Sequence, residues 1–527
     1  MAIDLFPVWP PGGGRAARMT LVAAAVFFPS ACTVGPDFEK PSPWSPASWF
    51  DTRPNDPKLP SLAAGVPPDP AWWSVFHDDT LTGLMRRLAA SNLDVRAASI
   101  RLAESRAQRG IAAADEFPKL NGNGSYTRER LSEKGVSGLL GSGGSTQTGS
   151  NGLGGRQGGV PTGGRSIPPF DLFQGGFDAS WELDLWGRVR RAVEAADANL
   201  DSSAEARRQT LVTSLAELAR GYVQLRGTQE TLRITNSNLR SAQESANLSA
   251  ERARGGLATD LDVANARAQV ESTAAIIPQL EQQQEQGINA IALLLGAPPG
   301  ALVAELSPPR PIPPVPPTVP VGIPSDLVRR RPDIRQTEAL LHAATADIGQ
   351  AEADFFPKVT LSGSLALQSV QFKDLGSWAA RTYSLGPAIT IPIFEGGRLR
   401  RTLELRKAKQ QEAAINYQKT VLGAFHDVDN ALIAYRAEQR RNARLAASVQ
   451  QSRRALGLAQ QRFRLGLSDY IEVLTAQRTV LQGEQQLSDS TTTISTNLVA
   501  LYKALGGGWE PTYPDAPSPS PTEKGPG

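Results

Sequence analysis

Among 527 residues there is a single cysteine, Cys32, and only three histidines, His77, His342 and His426. One thiol excludes a disulfide within the chain and a cysteine-based zinc site. The histidines are scattered, none at metal-ligand spacing from another, so each reads as a surface or satisfied core residue. Aromatics make up 6% of the chain and hydrophobic residues 40%. That is lean for a large globular enzyme and suits long solvated helices. Charge is nearly balanced: 55 Lys and Arg face 52 Asp and Glu, a net charge of only +3, so there is no electrostatic footprint for nucleic acid. No run of 18 or more apolar residues occurs, which excludes a membrane-spanning helix. It does not exclude a membrane β-barrel, whose strands of about 9–11 alternating residues escape hydropathy scans.

Catalytic arrangements are missing too. No histidine, cysteine or G-x-S-x-G elbow is placed to use the available carboxylates. The glycine-rich run GGVPTGG lacks the Lys-Ser/Thr that completes a phosphate loop. No enzyme, metal or cofactor is expected.

What is there begins with a secretion signal. Arg15 and Arg18 precede an apolar run from Met19 to Phe28, then Ser30, Ala31 and Cys32. Residues 1–31 read as a signal peptide, with Met19 an alternative start. PSAC resembles the lipoprotein signal box, with Pro29 where an aliphatic residue is usual, so Cys32 is expected to carry covalent lipid. Thr33 follows, so the aspartate that retains lipoproteins in the inner membrane is missing. One acylated anchor binds only marginally and would be an auxiliary tether.

An internal repeat organises the rest. RARGGLATDLDV ends at Val263 and RFRLGLSDYIEV at Val473, an offset of 210 from Gly256 to Gly466. The same offset pairs Gly187-Arg188 with Gly397-Arg398, Arg252 with Arg462, and Leu295-Gly296 with Leu505-Gly506. A constant offset over more than a hundred positions means two copies of one large unit. Phe117-Pro118-Lys119 matches Phe356-Pro357-Lys358 at an offset of 239, so the first copy holds 29 extra residues. They fall in the Gly/Ser-rich stretch from about Gly135 to Ser166, read as a loop.

Each copy carries strands, then long helices. Phe177, Ala179, Trp181, Leu183 and Leu185 alternate with Asp178, Ser180, Glu182 and Asp184, a period of two. Val359, Leu361, Leu365 and Leu367 repeat the pattern, as do Tyr383, Leu385, Ile389, Ile391 and Ile393. A weaker strand follows Phe117, through about Arg130. Four strands cannot close a membrane barrel, since known ones start at about eight, but three chains would supply about twelve. The spans Arg188 to Arg254 and Arg398 to Arg464 lack proline and would each extend roughly 100 Å as helix at about 1.5 Å per residue. Leu211, Leu215, Leu218, Tyr222 and Leu225 form a narrow stripe of coiled-coil type. A shorter helix follows each turn, to about Leu295 and Leu505. The Pro-rich stretch Pro308 to Pro324 reads as an extended connector without helix or sheet, and the tail from Pro511 as disordered.

These residues resemble the TolC-like outer-membrane efflux family, in its lipoprotein (NodT-type) branch, from about Cys32 to Leu505. The carriers are IPSDLVRRRPDIRQTEALLHAATADIGQAEADFFPKVTLSGS from Ile323, CTVGPDFEKP at Cys32, WWSVFHDDTL at Trp72, WELDLWGR at Trp181 and RFRLGLSDYIEVL ending at Leu474. The resemblance implies a mainly α fold with a small β part. It further implies a homotrimer: a shared twelve-stranded outer-membrane barrel, four strands per chain, continued by a periplasmic α-helical barrel. The segments would be an anchor and N-terminal helical/equatorial part over 32–116, a first β-hairpin with its extracellular loop over 117–187, and a first helical repeat over 188–296. A Pro-rich connector would follow over 297–324, an equatorial segment over 325–356, a second hairpin over 357–397, a second helical repeat over 398–506 and a disordered tail over 507–527. Implied partners are a periplasmic adaptor protein, an inner-membrane pump of the resistance-nodulation-division type, and outer-membrane lipid.

The function so implied is the exit duct of a tripartite efflux pump for small molecules. The alternatives are the duct of a type I protein-secretion system and a periplasmic coiled-coil scaffold lipoprotein. Gly255, Gly256 and Gly466 permit the reversals between helices, and just beyond each lies a matched carboxylate, Asp262 or Glu472. In a trimer these would make a ring of about six negative charges, which favours cations. By resemblance, the family's gate residues fall at Asp262, Phe463 and Glu472. The tip turns, with Gly255, Gly256, Leu257, Gly466, Leu467 and Ser468, would meet the adaptor. Ser468 occupies a position where a gate arginine stands elsewhere, so Arg464 or Arg254 is expected to substitute. The plain alternative is that Asp262 and Glu472 are ordinary helix-cap charges.

Overall fold

A computed structural model describes residues 33–49, 61–130 and 169–515. The signal peptide, Cys32 and the Gly/Ser-rich insert lie outside the described residues. In chain order the elements are β1 (Leu62–Ala64), α1 (Asp79–Ser91), α2 (Leu93–Ala114), β2 (Lys119–Glu129), β3 (Phe170–Leu183), α3 (Arg188–Arg254), α4 (Asp260–Ala274) and α5 (Ile276–Leu294). They continue as α6 (Val303–Leu306), β4 (Thr318–Pro320), α7 (Pro324–Arg330), α8 (Pro332–Ala353), β5 (Lys358–Ser369), β6 (Arg381–Thr390), α9 (Arg398–Arg464) and α10 (Tyr470–Ala504).

The duplication is visible element by element. Helices α3 and α9 are both 67 residues long and begin and end 210 residues apart. Three pairs of glycines at that offset share positive φ: Gly187 and Gly397, Gly256 and Gly466, Gly296 and Gly506. The matched Phe-Pro-Lys motifs act alike. Proline disfavours helix at the residue before it, and β2 and β5 start at the lysine that follows, Lys119 and Lys358.

The copies differ after the hairpin turn. The second copy has one 35-residue helix, α10, whereas the first is broken into α4 and α5 at Ala275. Pro278, in the first turn of α5, has no N–H for the preceding turn and crowds its carbonyl. The single helix expected in the first copy is therefore two.

Two further expectations are corrected. The stretch Pro308 to Pro324 is not free of regular structure: β4 lies within it and pairs in parallel with β1, Leu62 opposite Thr318 and Ala64 opposite Pro320. Pro320 sits at the strand end, where a missing donor costs little. The tail is held through residue 515. Trp509 is 3% exposed, with Arg208 4.4 Å and Arg335 5.3 Å from its ring. Burying one large aromatic outweighs the local Pro/Ser composition. Residues 516–527 lie outside the described part.

The chain forms two compact units. Of the described residues, unit 1 comprises 33–36, 110–130, 169–194 and 346–406; unit 2 comprises 37–49, 61–109, 195–345 and 407–515. Unit 1 holds a four-stranded antiparallel sheet in the order β2-β3-β5-β6. Unit 2 is helical. Its main core gathers the stripe Leu211, Leu215, Leu218, Tyr222 and Leu225 with Trp72, Phe76, Leu84, Leu498 and Tyr502. Trp72 stacks on Tyr502 at 5.3 Å between centroids. Helix α1 is capped by Asp78, which accepts from the Leu81 amide at 2.9 Å and from the Tyr222 hydroxyl at 2.7 Å. Burial, with the Asp78 hydrogen bond adding to it, pushes the Tyr222 phenol up to about 12.

Candidate functional site

Two places in the molecule bear on function, one in each unit. In unit 2, α3 turns into α4 and α9 into α10 through the same motif. The Leu257 amide donates to the Arg252 carbonyl at 2.8 Å and the Gly256 amide to Ala253 at 2.9 Å. Leu467 donates to Arg462 at 2.9 Å and Gly466 to Phe463 at 3.0 Å. This double bond around a left-handed glycine is the Schellman helix stop, which needs φ > 0 at the residue past the cap. Gly256 and Gly466 supply it, with φ of 70° and 77°. Gly255 comes just before, with ordinary φ. Leu257 and Leu467, which could fold back on their helices, are instead 70% and 65% exposed.

The matched carboxylates do different things. Asp262 caps its own helix in a reciprocal box: its Oδ2 accepts from the Thr259 amide at 3.0 Å and hydroxyl at 2.8 Å, and its amide donates to Thr259 Oγ1 at 3.2 Å. The cap reading thus holds for Asp262 in the single chain. Glu472 is exposed and pairs with Arg462, Nη1 to Oε2 at 3.4 Å. Arg462, not Arg464 or Arg254, is the partner. Arg254 instead reaches its own helix, at the Ala250 carbonyl. Ser468 is half-buried.

Phe463 lies inside the tip, 4% exposed, packed with Ala266, Tyr470, Val473 and Leu474. Its ring meets Tyr470 edge-on at 5.5 Å, and the Arg252 guanidinium lies 4.6 Å from its centroid. Arg252 also donates to the carbonyls of Phe463 and Arg464, the latter at 3.2 Å, and to Leu257 at 3.4 Å. One side chain of the first hairpin thus holds the end of α9. Burial pushes the Tyr470 phenol up against the opposing charge of Arg478. Arg252 and Arg462 were legible only as a repeat pair. That one ties the hairpins together and the other pairs with Glu472 depends on contacts between helices distant in sequence.

In unit 1 the register assigns every strand residue to a face. Leu120 faces Ala179, Phe177 faces Leu365, and Leu365 faces Tyr383. Directly opposed residues share a face, so one face carries Leu120, Tyr126, Phe173, Phe177, Ala179, Trp181, Val359, Leu361, Leu365, Leu367, Tyr383, Leu385 and Ile389. Its charged residues, Arg128, Asp171 and Arg381, all stand at one end of the strands. The other face carries Asn121, Asn123, Ser125, Asp178, Ser180, Glu182, Thr360, Ser362, Ser364 and Ser384. Much of the apolar face is exposed: Phe177, Leu365, Tyr383, Leu385 and Ile389 are 58% to 80% exposed. Among the described residues β2 and β6 are edges, each paired on one side only. Among the described residues no helix is long and apolar enough to cross a membrane, and no group of three or more potential metal ligands occurs.

A family model described as outer membrane efflux protein matches residues 84–297 and 323–507. The chain belongs to the outer membrane efflux protein family. The two matched stretches coincide with the two copies of the repeat. The chain is 32% identical over 489 residues to the probable efflux pump outer membrane protein TtgC of Pseudomonas putida, covering 93% of this chain and 95% of that one. It is 32% identical over 484 residues to the outer membrane protein OprJ of Pseudomonas aeruginosa, covering 91% and 94%. It is 31% identical over 483 residues to nodulation protein T of Rhizobium leguminosarum bv. trifolii, covering 92% and 96%. Among solved structures, the outer-membrane channel OprN superposes with a TM-score of 0.78 at 34% identity, over 91% of this chain and all of that one. CusC superposes with a TM-score of 0.73 at 27% identity, over 90% and 100%. The protein is an outer-membrane efflux channel of a Gram-negative bacterium.

Proposed function

We propose that three copies of this chain close one pore, the exit duct of a tripartite pump that exports small molecules. The observation that carries this reading is the four-stranded sheet of unit 1, with one face apolar and much of it exposed, one face polar, and, among the described residues, both edges unpaired. Open edges are not tolerated in hydrocarbon. Three such sheets joined edge to edge make twelve strands, within the range of known barrels. The strands, of 10 to 14 residues, match the span of a tilted membrane strand. The apolar face then meets lipid and the Asn, Ser, Thr and Asp face lines water.

The long helices form the periplasmic conduit, and their hairpin tips the closed end and the docking point for an adaptor. At the tips Asp262 and Glu472 supply a ring of negative charge, and Phe463 with Arg252 holds the two hairpins of each chain together. The exposed Leu257 and Leu467 offer apolar contact to the adaptor around Gly255, Gly256, Gly466 and Ser468. An inner-membrane pump of the resistance-nodulation-division type supplies the energy. The chain provides a passage and no chemistry or cofactor; lipid on Cys32 would tether it. Export of small molecules fits the names of relatives, which include a toluene efflux pump protein and a pyoverdine export protein.

The test is single-channel recording of the detergent-purified protein in planar bilayers, beside its mass in detergent. A trimer with a mostly closed, cation-preferring pore is expected, its conductance or selectivity altered in Asp262→Ala/Glu472→Ala. A pore indifferent to that double substitution removes the gate from the tip. Folded, membrane-inserted protein without a pore favours the scaffold.

A further inference from the structure

The apolar face of the sheet is not smooth. A groove of ≈ 800 Å³ runs along it, floored by the backbone at Gly122, Gly175 and Gly176 and walled by Phe177, Leu365, Leu367 and Tyr383. Its rim is the β5–β6 connection: Gly376, Ser377 and Trp378 line it together with Arg381. Two glycines in neighbouring strands, Gly122 and Gly175, leave the depression, because the side chains of their face are missing there. A Cβ at Gly122 would meet only the Phe177 ring at 3.6 Å, and one at Gly175 only a carbonyl oxygen at 4.0 Å. Crowding therefore does not explain glycine at either place.

The groove carries one formal charge. The Arg381 guanidinium lies 3.3 Å from the centre of the Trp378 ring, and no carboxylate is among the lining residues. Stacking on one face leaves the planar edge of an arginine free to offer paired N–H donors, the geometry that grips a phosphate. Tryptophan and arginine together at the end of a lipid-facing strand mark the membrane interface.

We infer that this groove seats an acyl chain of a phosphorylated outer-leaflet lipid, with its phosphate on Arg381. The inference rests on the barrel reading above, which turns this face to lipid. The occupant follows from complementarity: an apolar trough with a single cation at its interfacial end suits a hydrocarbon chain attached to an anion. A protein segment would need partners for its backbone, and the walls offer almost none.

The experiment is native mass spectrometry of the full-length protein, reconstituted with lipid A in its bisphosphorylated or dephosphorylated form, beside conductance recordings of the same preparations. Wild type is expected to retain the bisphosphorylated form at least about tenfold more, the worth of one charge-assisted contact. Arg381→Gln should bring that ratio to within about twofold. Gly175→Leu, which fills the trough from an unstrained strand position, should lower retention of both forms. Pores that conduct but show no phosphate preference, or a preference that survives Arg381→Gln, overturn the lipid seat and leave the duct intact. Retention of a neighbouring copy in place of lipid overturns it too. A preparation without pores overturns both readings.

Discussion

Arg462 and Glu472 close an ion pair of 3.4 Å across the second hairpin turn, but their repeat equivalents, Arg252 and Asp262, are engaged elsewhere. Asp262 is held by Thr259, and Arg252 reaches the carbonyls of Phe463 and Arg464. Duplication supplied two equal arginines, and packing made one a local pair and the other a tie between hairpins.

That asymmetry predicts unequal mutants. The Arg462–Glu472 pair is about half exposed, and such pairs contribute roughly 0–1 kcal/mol. Arg252 makes charged hydrogen bonds, each about 1.5–3 kcal/mol, and stacks on an aromatic ring. Arg252→Ala should raise open probability in planar bilayers about tenfold or more, Arg462→Ala less than about fivefold. Equal responses would remove the tie from the opening step.

Phe463→Ala should loosen the tip alone. The ring belongs to a small cluster separate from the main core, and its removal costs about 3–5 kcal/mol. Amide exchange should quicken over 456–474 while the stretch from Leu211 to Leu225 stays protected. Uniform acceleration would show that the tip and core open together.

Either helix stop can be strained by one methyl group. Gly256→Ala or Gly466→Ala forces a side chain into left-handed backbone, at about 1–2 kcal/mol. Each should shift the tip's protease cleavage to lower enzyme concentration, while Gly255→Ala, with ordinary φ, should not. Equal sensitivity of all three would refute the turn assignment.

Trp509 should anchor the C-terminal segment. Trp509→Ala is expected to cost about 3–5 kcal/mol and to lower the melting temperature of the purified protein. An unchanged transition would return the segment to the disordered class.

The same segment should respond to acid. Hydrogen bonds and charge from Arg335 hold the Asp515 carboxyl below its ordinary value of 3.8. A depressed carboxyl stabilises the fold above that value, and the contribution is lost as pH falls through the folded value. Asp515 is more than half exposed, so the term is no more than about 1 kcal/mol. Asp515→Asn should lower stability slightly at pH 7, and the gap to wild type should close on acidification below about 3.8. A gap that persists there would assign the effect to shape.

Much of this fold was legible because its signals are local and doubled. Proline-free runs bounded by Gly187 and Gly256, or by Gly397 and Gly466, marked both long helices to the residue, since helix stops are chain-local events. Alternation marked the strands, since side chains of a strand point to opposite faces in turn. The break at Ala275 was written in Pro278 but hidden by the copy that lacks it. The β1–β4 pair was not legible, because two three-residue strands whose partners stand 256 residues apart, Leu62 opposite Thr318, carry no periodicity.

By itself, then, the sequence determined the repeat, the bounds of the two long helices and the alternation that makes one face of each strand apolar. Only tertiary structure decided that the four strands share one sheet, that Trp509 enters the core, and that Arg252 crosses to the second hairpin. The reason is physical: periodicity and turn chemistry act within a few residues, whereas an arginine chooses among carbonyls and carboxylates only after distant helices have brought them within reach.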